Sequence, residues 1–437
     1  MLSQDENDVI TRVGPGTPTG NLMREYWIPA LASTELPGAD CAPVRVLLLG
    51  ERLIAFRDSG GRPGLLANHC PHRGASLFFG RNEENGLRCV YHGWKFDVAG
   101  QCVDMPNEPA ESNFKHKVTA VAYPCRERGG IIWAYLGPRA VPPPLPDIEA
   151  NMLPEGEWSV QFTQQECNWL QILEGDIDTC HFGFLHRGAV NPDQMPPWTS
   201  PGERYVLRDR SPHYKVMDID GGTIYGAYVR AEPGYVNWRI AMFLLPFYSR
   251  PPGGGPGVIC RVPMDDEHTM NIFIGARPAA GRANRLIPDE VANHPGYRRI
   301  KSGPLPNSTD WHGRFRSGSN MANDFEIDRD LQRAKEGNNG YTGVVGNVQD
   351  RMITESMGRI YTRTQEHLGT SDAMIIRTRR CIIAAARALA ADGAPPPGAD
   401  HPEFYRRRSA SAILPEEADW LEATREQREA FLAGAKQ

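Results

Sequence analysis

The sequence predicts an α+β protein of two unequal parts, a small all-β domain followed by a larger domain whose antiparallel sheet is flanked by helices. Three observations carry that expectation. Arg45 to Gly50, Arg52 to Phe56 and Gly129 to Leu136 read as short strands, the first two joined by a tight Gly-Glu turn. Val141-Pro142-Pro143-Pro144-Leu145-Pro146 is a stiff linker of polyproline-like conformation. Beyond it, Tyr214 to Ile219, Thr223 to Val229 and Val236 to Phe243 alternate as strands do, among helical stretches expected around 168–182, 350–361 and 372–391. The division expected is an N-terminal segment, 1–39, packing on the larger domain, a small domain over 40–146 and the larger domain over 147–437.

Taken from the N-terminus, Met1 to Thr11 is acidic and lacks an apolar core, so no secretory signal is visible. The longest apolar run, Cys381 to Ala391, is interrupted by Arg387 and too short for a bilayer. A cytoplasmic location is therefore expected. The chain has 437 residues, 40% hydrophobic and 23% charged, enough for one or two full cores. A net charge of −5 and a pI near 6.2 give no electrostatic case for nucleic acid or acidic membranes as partners. Cysteines number nine, an odd count at irregular spacing, which argues against a disulfide framework. Cys41, Cys102, Cys125, Cys167, Cys260 and Cys381 read as reduced thiols.

Inside the small domain lie Cys70-Pro71-His72 and Cys89-Val90-Tyr91-His92-Gly93-Trp94, each supplying one thiolate and one imidazole. A Rieske centre holds one iron of a [2Fe–2S] cluster with two cysteines and the other with two histidines, so two facing loops must each deliver one ligand of each type. A Cys2His2 zinc site is the competing reading, but it usually groups its two cysteines in one turn and its histidines in a helix. Gly74 and Gly93, just after the histidines, allow tight turns that aim backbone N–H groups at bridging sulfides.

A second group of candidate ligands opens the larger domain: Asn168-Trp169, then Glu174-Gly175-Asp176-Ile177-Asp178-Thr179-Cys180-His181, then His186. Asp178 and His181, three apart on a helix, would share a face, so the carboxylate could orient the imidazole. His181 and His186 would point roughly 140° apart on a regular helix. Both reach one metal only if the helix ends or bulges between them, where Gly183 sits. Two histidines and one carboxylate with open positions suit non-haem Fe(II) oxygen chemistry. Asp350 is the candidate carboxylate, because it shares a helical face with Ile353, Met357 and Ile360, and a carboxylate aimed into a core is costly unless bound. It fits a helix-capping aspartate equally well.

Together the stretch His69 to Trp94 and the Asp178, His181, His186 pattern resemble the α subunits of Rieske non-haem iron oxygenases over nearly the whole chain. Leu173 to His186, Val348-Gln349-Asp350 through Glu355-Ser356-Met357-Gly358, and Gln365 to Asp372 are most similar to the phthalate dioxygenase branch. The resemblance implies a helix-flanked antiparallel sheet, a [2Fe–2S] cluster on Cys70, His72, Cys89 and His92, and a mononuclear Fe(II) on His181, His186 and Asp350. It also implies an aromatic carboxylate and O2 as substrates, a flavin and iron–sulfur reductase as electron donor, and a homotrimer or multiple of trimers. Within that assembly His92 of one chain would meet Asp178 of the next, making Asp178 an electron-transfer bridge.

Two departures bear on the pocket. Glu174 stands where several branches carry Asn, either as a pocket carboxylate or as a salt-bridged structural residue. Cys180 stands where phthalate-type enzymes tend to carry a hydroxyl. A carboxylate substrate needs a cation, and arginine suits it through its bidentate fork. Arg239, Arg208 and Arg210 are the candidates, Arg239 foremost. The expected activity is cis-dihydroxylation of a phthalate-like, chlorobenzoate-like or phenoxybenzoate-like ring. Monooxygenation or O-demethylation uses the same metals, and a pure Rieske electron carrier would need only the cluster.

Elsewhere, Pro251 to Gly257 reads as a surface turn. Lys301 to Asn323, polar and Gly/Ser-rich, reads as a long loop, either a lid over the site or plain disorder. Ala391 to His401 is a linker to a C-terminal helix beginning near Pro415. Arg406-Arg407-Arg408 is a docking patch or a solvated face, and no internal repeat is found.

Overall fold

Ser3 opens helix α1 (Gln4–Thr11) through a reciprocal cap with Glu6, and Pro18 occupies the first turn of α2 (Pro18–Arg24). The computed structural model describes residues 1–195, 199–277, 302–335, 337 and 339–430. Strand β1 (Trp27–Ala32) is followed by β2 (Val44–Leu48), β3 (Glu51–Arg57), β4 (Pro63–Ala67), β5 (Arg81–Glu83), β6 (Gly86–Arg88), β7 (Lys95–Phe96), β8 (Cys102–Asp104), β9 (Ala122–Tyr123), β10 (Cys125–Arg128) and β11 (Ile131–Tyr135). They form three antiparallel sheets in the orders β2-β3-β4-β9, β5-β6-β7-β8 and β1-β11-β10. The segment before residue 40 thus contributes a strand to the small domain as well as two helices to the larger one.

The β2–β3 turn is made by Leu49 and Gly50, both with positive φ, and Glu51 already starts β3. This turn docks on the larger domain, where Leu49 N donates to Pro263 O at 3.1 Å and Gly50 N to Met264 O at 2.8 Å. Burial of backbone donors at a seam requires such partners. Arg24 reinforces it, donating to Leu49 O, Val13 O, Gly20 O and the Glu51 carboxylate.

In the larger domain, β12 (Trp158–Gln165), β13 (His213–Ile219), β14 (Gly222–Arg230), β15 (Tyr235–Leu244), β16 (Tyr248–Arg250), β17 (Val258–Pro263) and β18 (Thr269–Ala276) form a sheet in the order β12-β18-β17-β16-β15-β14-β13. Its eighth strand, β19 (Ala410–Pro415), pairs with β15. The strands expected at 214–219, 223–229 and 236–243 are present within a residue or so of their bounds. Period-two burial gives the sheet two cores. Ala241, Phe243 and Tyr225 join the main core with helix residues such as Ile382 and Ala386, while Ile240, Met242 and Trp238 face the C-terminal segment, where Trp238 stacks on Trp420.

The helices of this domain are α3 (Trp169–Asp176), α4 (Pro201–Arg208), α5 (Arg329–Ala334), α6 (Gly346–Ser356) and α7 (Ala373–Asp392). Helix α3 packs on β16, β17 and α6, and α7 packs on β13, β14, α1 and α2. Three expectations need correction. The helix expected over 168–182 ends at Asp176, because Asp178 turns its side chain back to accept from Cys180 N at 2.7 Å, a local bond that competes with the helical ladder. No helix begins near Pro415, which closes β19; a short turn of helix starts at Trp420, capped by Asp419. Arg406, Arg407 and Arg408 form no open patch, since they pair with Asp147, Asp220 and Glu149 respectively.

Of the long loop expected over 301–323, Lys301 lies outside the described residues. From Ser302 to Ser317 it is an ordered strap, closed by Leu305 N donating to Arg316 O at 2.9 Å and by a Pro304–Ser317 bridge. Arg45 donates to Thr309 O at 2.7 Å and stacks toward Trp311, and Arg314 grips Glu35 with two bonds of 2.6 Å. The strap therefore rests on the small domain.

Candidate metal centres and cavity

The two ligand loops of the small domain share one backbone design. Cys70 N donates to Ala75 O at 2.8 Å and Gly74 N to Cys70 O at 2.9 Å; Cys89 N donates to Trp94 O at 2.8 Å and Gly93 N to Cys89 O at 2.9 Å. Each loop thus folds into the same tight turn, closed by a glycine with φ of +75° (Gly74) or +83° (Gly93), which L side chains rarely adopt. At Gly93 a Cβ would also strike the Pro106 ring. The turns bring His72 and His92 to 4.4 Å between ring centroids, with Trp94 stacked on His72 at 4.3 Å and its indole N–H donating to Asn107.

These residues fit a two-iron cluster. His72 Nδ1 is buried and, among the described residues, has no hydrogen-bond partner, a costly state for an imidazole nitrogen unless something binds it. Burial, and then the neighbouring Cys89, push the Cys70 thiol up to about 11, a cost that a bound cation removes by taking the thiolate. A single tetrahedral zinc would draw its four donors to within about 4 Å of one another. Among the described residues, the groups whose donors all lie within 4.8 Å are His181, His186, Asp350 and Asp265, His268, His312, so these four are spread more widely.

Beyond the end of α3, the chain forms a single turn of 3-10 helix at His181–Gly183, and that break lets His181 and His186 converge. Their ring centroids are 5.1 Å apart. Asp350 Oδ1 lies 3.5 Å from His181 Nε2 and 3.2 Å from His186 Nε2. Asp350 is inside α6, whose cap position is Val345, so the capping alternative does not hold. The helix expected over 350–361 runs instead from Gly346 to Ser356, so Ile360 lies beyond it; Ile353 and the C-cap residue Met357, expected to mark a core-facing stripe, are exposed into a cavity.

The outer nitrogens of the two imidazoles meet different partners. His181 Nδ1 lies 3.4 Å from the Asp178 carboxylate. His186 Nδ1 meets Gln349 Oε1 at 2.7 Å, while Gln349 Nε2 donates to Thr342 Oγ1 and Val344 O. Those two acceptors fix the amide orientation, so Gln349 Oε1 accepts a proton-bearing His186 Nδ1 and the ring turns Nε2 toward Asp350. Burial works against charge on His181, yet Asp178 and Asp350 outweigh it and raise its pKa. Burial likewise opposes the Asp350 carboxylate, but His186 and His181 hold its pKa below the ordinary value. Such mutual pull among two histidines and a carboxylate is the electrostatic setting of an M²⁺ site.

The three donors open onto a cavity of about 1360 Å³, which Asp178 and Arg239 also line. Phe162, Phe273, Leu185, Leu368 and Ile375 make its walls apolar, and Leu305 and Phe315 of the strap close one side. Arg239, on β15, donates to Thr179 Oγ1 at 2.8 Å and lies over the Phe182 ring at 4.6 Å. Among the described residues no carboxylate lies within ion-pair distance of it. Of the other cations at the cavity, Arg261 pairs with Asp176, Arg379 with Glu174 and Glu366, and Arg351 lies 3.8 Å from Glu355, while Arg316 belongs to the strap and donates to Pro306 O at 3.1 Å. Glu174 is therefore a buried structural anion, shared between Arg363 and Arg379.

Arg208 ends α4 exposed and Arg210 lies against Phe184, and neither lines this cavity. Cys180 turns away to Tyr214, at 3.2 Å, beside a small void behind Arg239. Sequence reasoning missed Gln349, although it stands next to Asp350 in the quoted Val-Gln-Asp run. It also missed the strap's role as cavity wall, which has no local signal.

Comparison with known proteins agrees with this geometry. The profile of the Rieske [2Fe-2S] domain matches residues 26–122, and that of the LigXa C-terminal domain like family matches 134–435. The chain is 45% identical over 434 residues, 98% of each chain, to the 3-chlorobenzoate-3,4-dioxygenase oxygenase subunit of Comamonas testosteroni. It is 35% identical over 433 residues, 96% of this chain and 94% of the other, to the phthalate 4,5-dioxygenase oxygenase subunit of Pseudomonas putida. In fold it is similar to apo dicamba monooxygenase, with a TM-score of 0.54 at 17% identity over 86% of this chain and 100% of that one.

Proposed function

The chain belongs to the Rieske non-haem iron oxygenases as an oxygenase α subunit, and on that premise we propose that it cis-dihydroxylates an aromatic carboxylate of the chlorobenzoate, phthalate or phenoxybenzoate kind. The carrying observation is Arg239, a partly buried cation with no carboxylate partner among the described residues, in the cavity onto which His181, His186 and Asp350 open. Burial lowers its pKa, so an entering carboxylate would relieve the cost of an unpaired guanidinium. Phe182 beneath it and the apolar walls would hold the ring flat and exclude water. The 3-chlorobenzoate and phthalate specificities of the two similar oxygenases support the same substrate class.

Cys70, His72, Cys89 and His92 would hold the [2Fe–2S] cluster, and His181, His186 and Asp350 the mononuclear iron; bound, the first supplies single electrons and the second supplies O2 activation. Gln349 keeps His186 in the ligating tautomer. Asp178 would bridge from His181 to His92 of the neighbouring subunit in a head-to-tail trimer or multiple of trimers. Val90 and Tyr91, exposed apolar residues beside His92, favour burial of that edge against another chain. Residues 40–146 would carry the cluster and 147–437 the iron, with 1–39 serving both. A flavin and iron–sulfur reductase would supply the electrons, in the cytoplasm.

Turnover with ¹⁸O2 tests the reading. With 3-chlorobenzoate or phthalate, O2, two electrons and two protons should give a ring cis-diol carrying both labelled atoms. One labelled atom in a phenol would replace dihydroxylation by monooxygenation, and no oxygenated product from any aromatic carboxylate would end the substrate assignment.

A further inference from the structure

Between the β17–β18 hairpin and the strap, the molecule assembles a second pair of histidines around a carboxylate. The β17–β18 hairpin folds tightly, with Met264 N donating to His268 O at 2.9 Å and Glu267 N to Asp265 Oδ1 at 2.8 Å, which sets the Asp265 and His268 side chains together. His312 reaches them from the strap. Asp265 Oδ1 lies 2.9 Å from His268 Nδ1, Asp265 Oδ2 lies 2.9 Å from His312 Nε2, and the rings are 4.0 Å apart. The donor atoms of all three residues fall within 4.8 Å of one another, as do those of His181, His186 and Asp350.

We propose that Asp265, His268 and His312 form a second divalent-cation site, suited to zinc, that clamps the strap to the β17–β18 hairpin. The donor set is one that zinc accepts, and donors about 2.1 Å from an ion stand roughly 3.0–3.4 Å from each other, close to the separations present. A void of about 220 Å³, lined by His268, His312, Asp310, Glu166, Arg316 and Arg359, adjoins the group and leaves room for a water to complete the coordination.

Arg359 governs access. Its Nη1 donates to His268 Nε2 at 3.3 Å, which places the His268 proton on Nδ1, facing Asp265. His312 likewise gives its Nε2 proton to Asp265. The ion-free state is thus a protonated image of the site, each proton standing where the ion would bind. Entry of M²⁺ moves the proton of each imidazole to its far nitrogen, with no net release, and displaces Arg359 from His268. Arg359 has another anchor, since its Nη2 already holds the Glu166 carboxylate at 2.8 Å.

Crystals of the holoenzyme, with both iron centres filled, soaked in zinc and measured at the zinc absorption edge test the proposal directly. A peak among Asp265, His268 and His312 is expected. In equilibrium dialysis the wild-type protein and Asp350→Asn should both take up this zinc, His312→Gln should lose it, and Arg359→Gln should bind it several-fold more tightly. Zinc should also raise the melting temperature of the wild type and not that of His312→Gln. Uptake abolished by Asp350→Asn, or a peak only at the mononuclear site, would overturn the proposal. So would zinc uptake unchanged in His312→Gln, or none in either the wild type or Arg359→Gln. Those last results would leave the three side chains as a hydrogen-bonded brace.

Discussion

The loops that carry Cys70, His72, Cys89 and His92 are each closed by two backbone hydrogen bonds and a left-handed glycine. The group His181, His186 and Asp350 is held differently, by side chains from segments remote in sequence: Asp178 behind one imidazole, Gln349 behind the other, and a buried ion-pair network beneath α3. A site framed by backbone keeps its shape when a neighbouring side chain changes. A site framed by side chains depends on charge balance and hydrogen bonding well outside the ligands. Substitutions at Glu174, Asp178 and Gln349 press on that contrast, from the largest expected effect to the smallest.

Glu174→Gln removes the anion that Arg363 and Arg379, both buried, share. Leaving buried charge uncompensated costs about 3–5 kcal/mol, so chemical denaturation should show the larger domain weakened by that much while the reduced cluster spectrum is unchanged. Loss of the cluster signal in parallel would break the contrast. Acid should act the same way. Burial raises the Glu174 pKa but the two arginines outweigh it and depress it overall, so its contribution is present above the ordinary carboxylate range and lost as pH falls through the depressed value.

Asp178→Asn keeps the size of the side chain but removes the charge facing His181. Both metals should remain by iron and sulfide analysis while turnover falls on the order of 10²-fold, the cost of a misplaced partner in a reacting site. Near-normal turnover would sink the bridging role. Gln349→Leu leaves His186 Nδ1 without its acceptor and should weaken Fe(II) binding about 10–100-fold, read by titration of iron into the apo mononuclear site. Gln349→Glu should restore affinity; equal weakening in both variants would mean that shape, and not the hydrogen bond, sets the imidazole.

The same contrast decides what the sequence reveals. The candidate ligands sit within a few residues of one another in Cys70 to His72 and Cys89 to His92, so motif spacing picks them out, and Asp178, His181 and His186 stand out for the same reason. Strands β13 to β15 follow from period-two alternation because their alternate residues face two different cores. The partner of Glu174 could not be read, because Arg363 and Arg379 lie far along the chain and ion pairing leaves no periodic trace. The early end of α3 depends on one side chain, Asp178, bonding locally. Strand β19 leaves no local signal because, among the described residues, its strand pairing is with β15. Of the apolar stripe Ile353, Met357 and Ile360, the first two line the cavity and the third lies past the helix end, and periodicity cannot separate a core from the wall of a cavity.

The strap has a further consequence for how such an enzyme can change over generations. Leu305 and Phe315 line the cavity onto which His181, His186 and Asp350 open, while Thr309, Trp311 and Arg314 of the same segment lean on Arg45 and Glu35. A mutation that enlarges the chamber on this side also loosens the joint between domains, so most such variants would be purged before a new substrate rewarded them. Ile353 on the facing helix and Met357 at its C-cap touch no such joint among the described residues. Diversification of substrate range should therefore accumulate on the helix and leave the strap conserved.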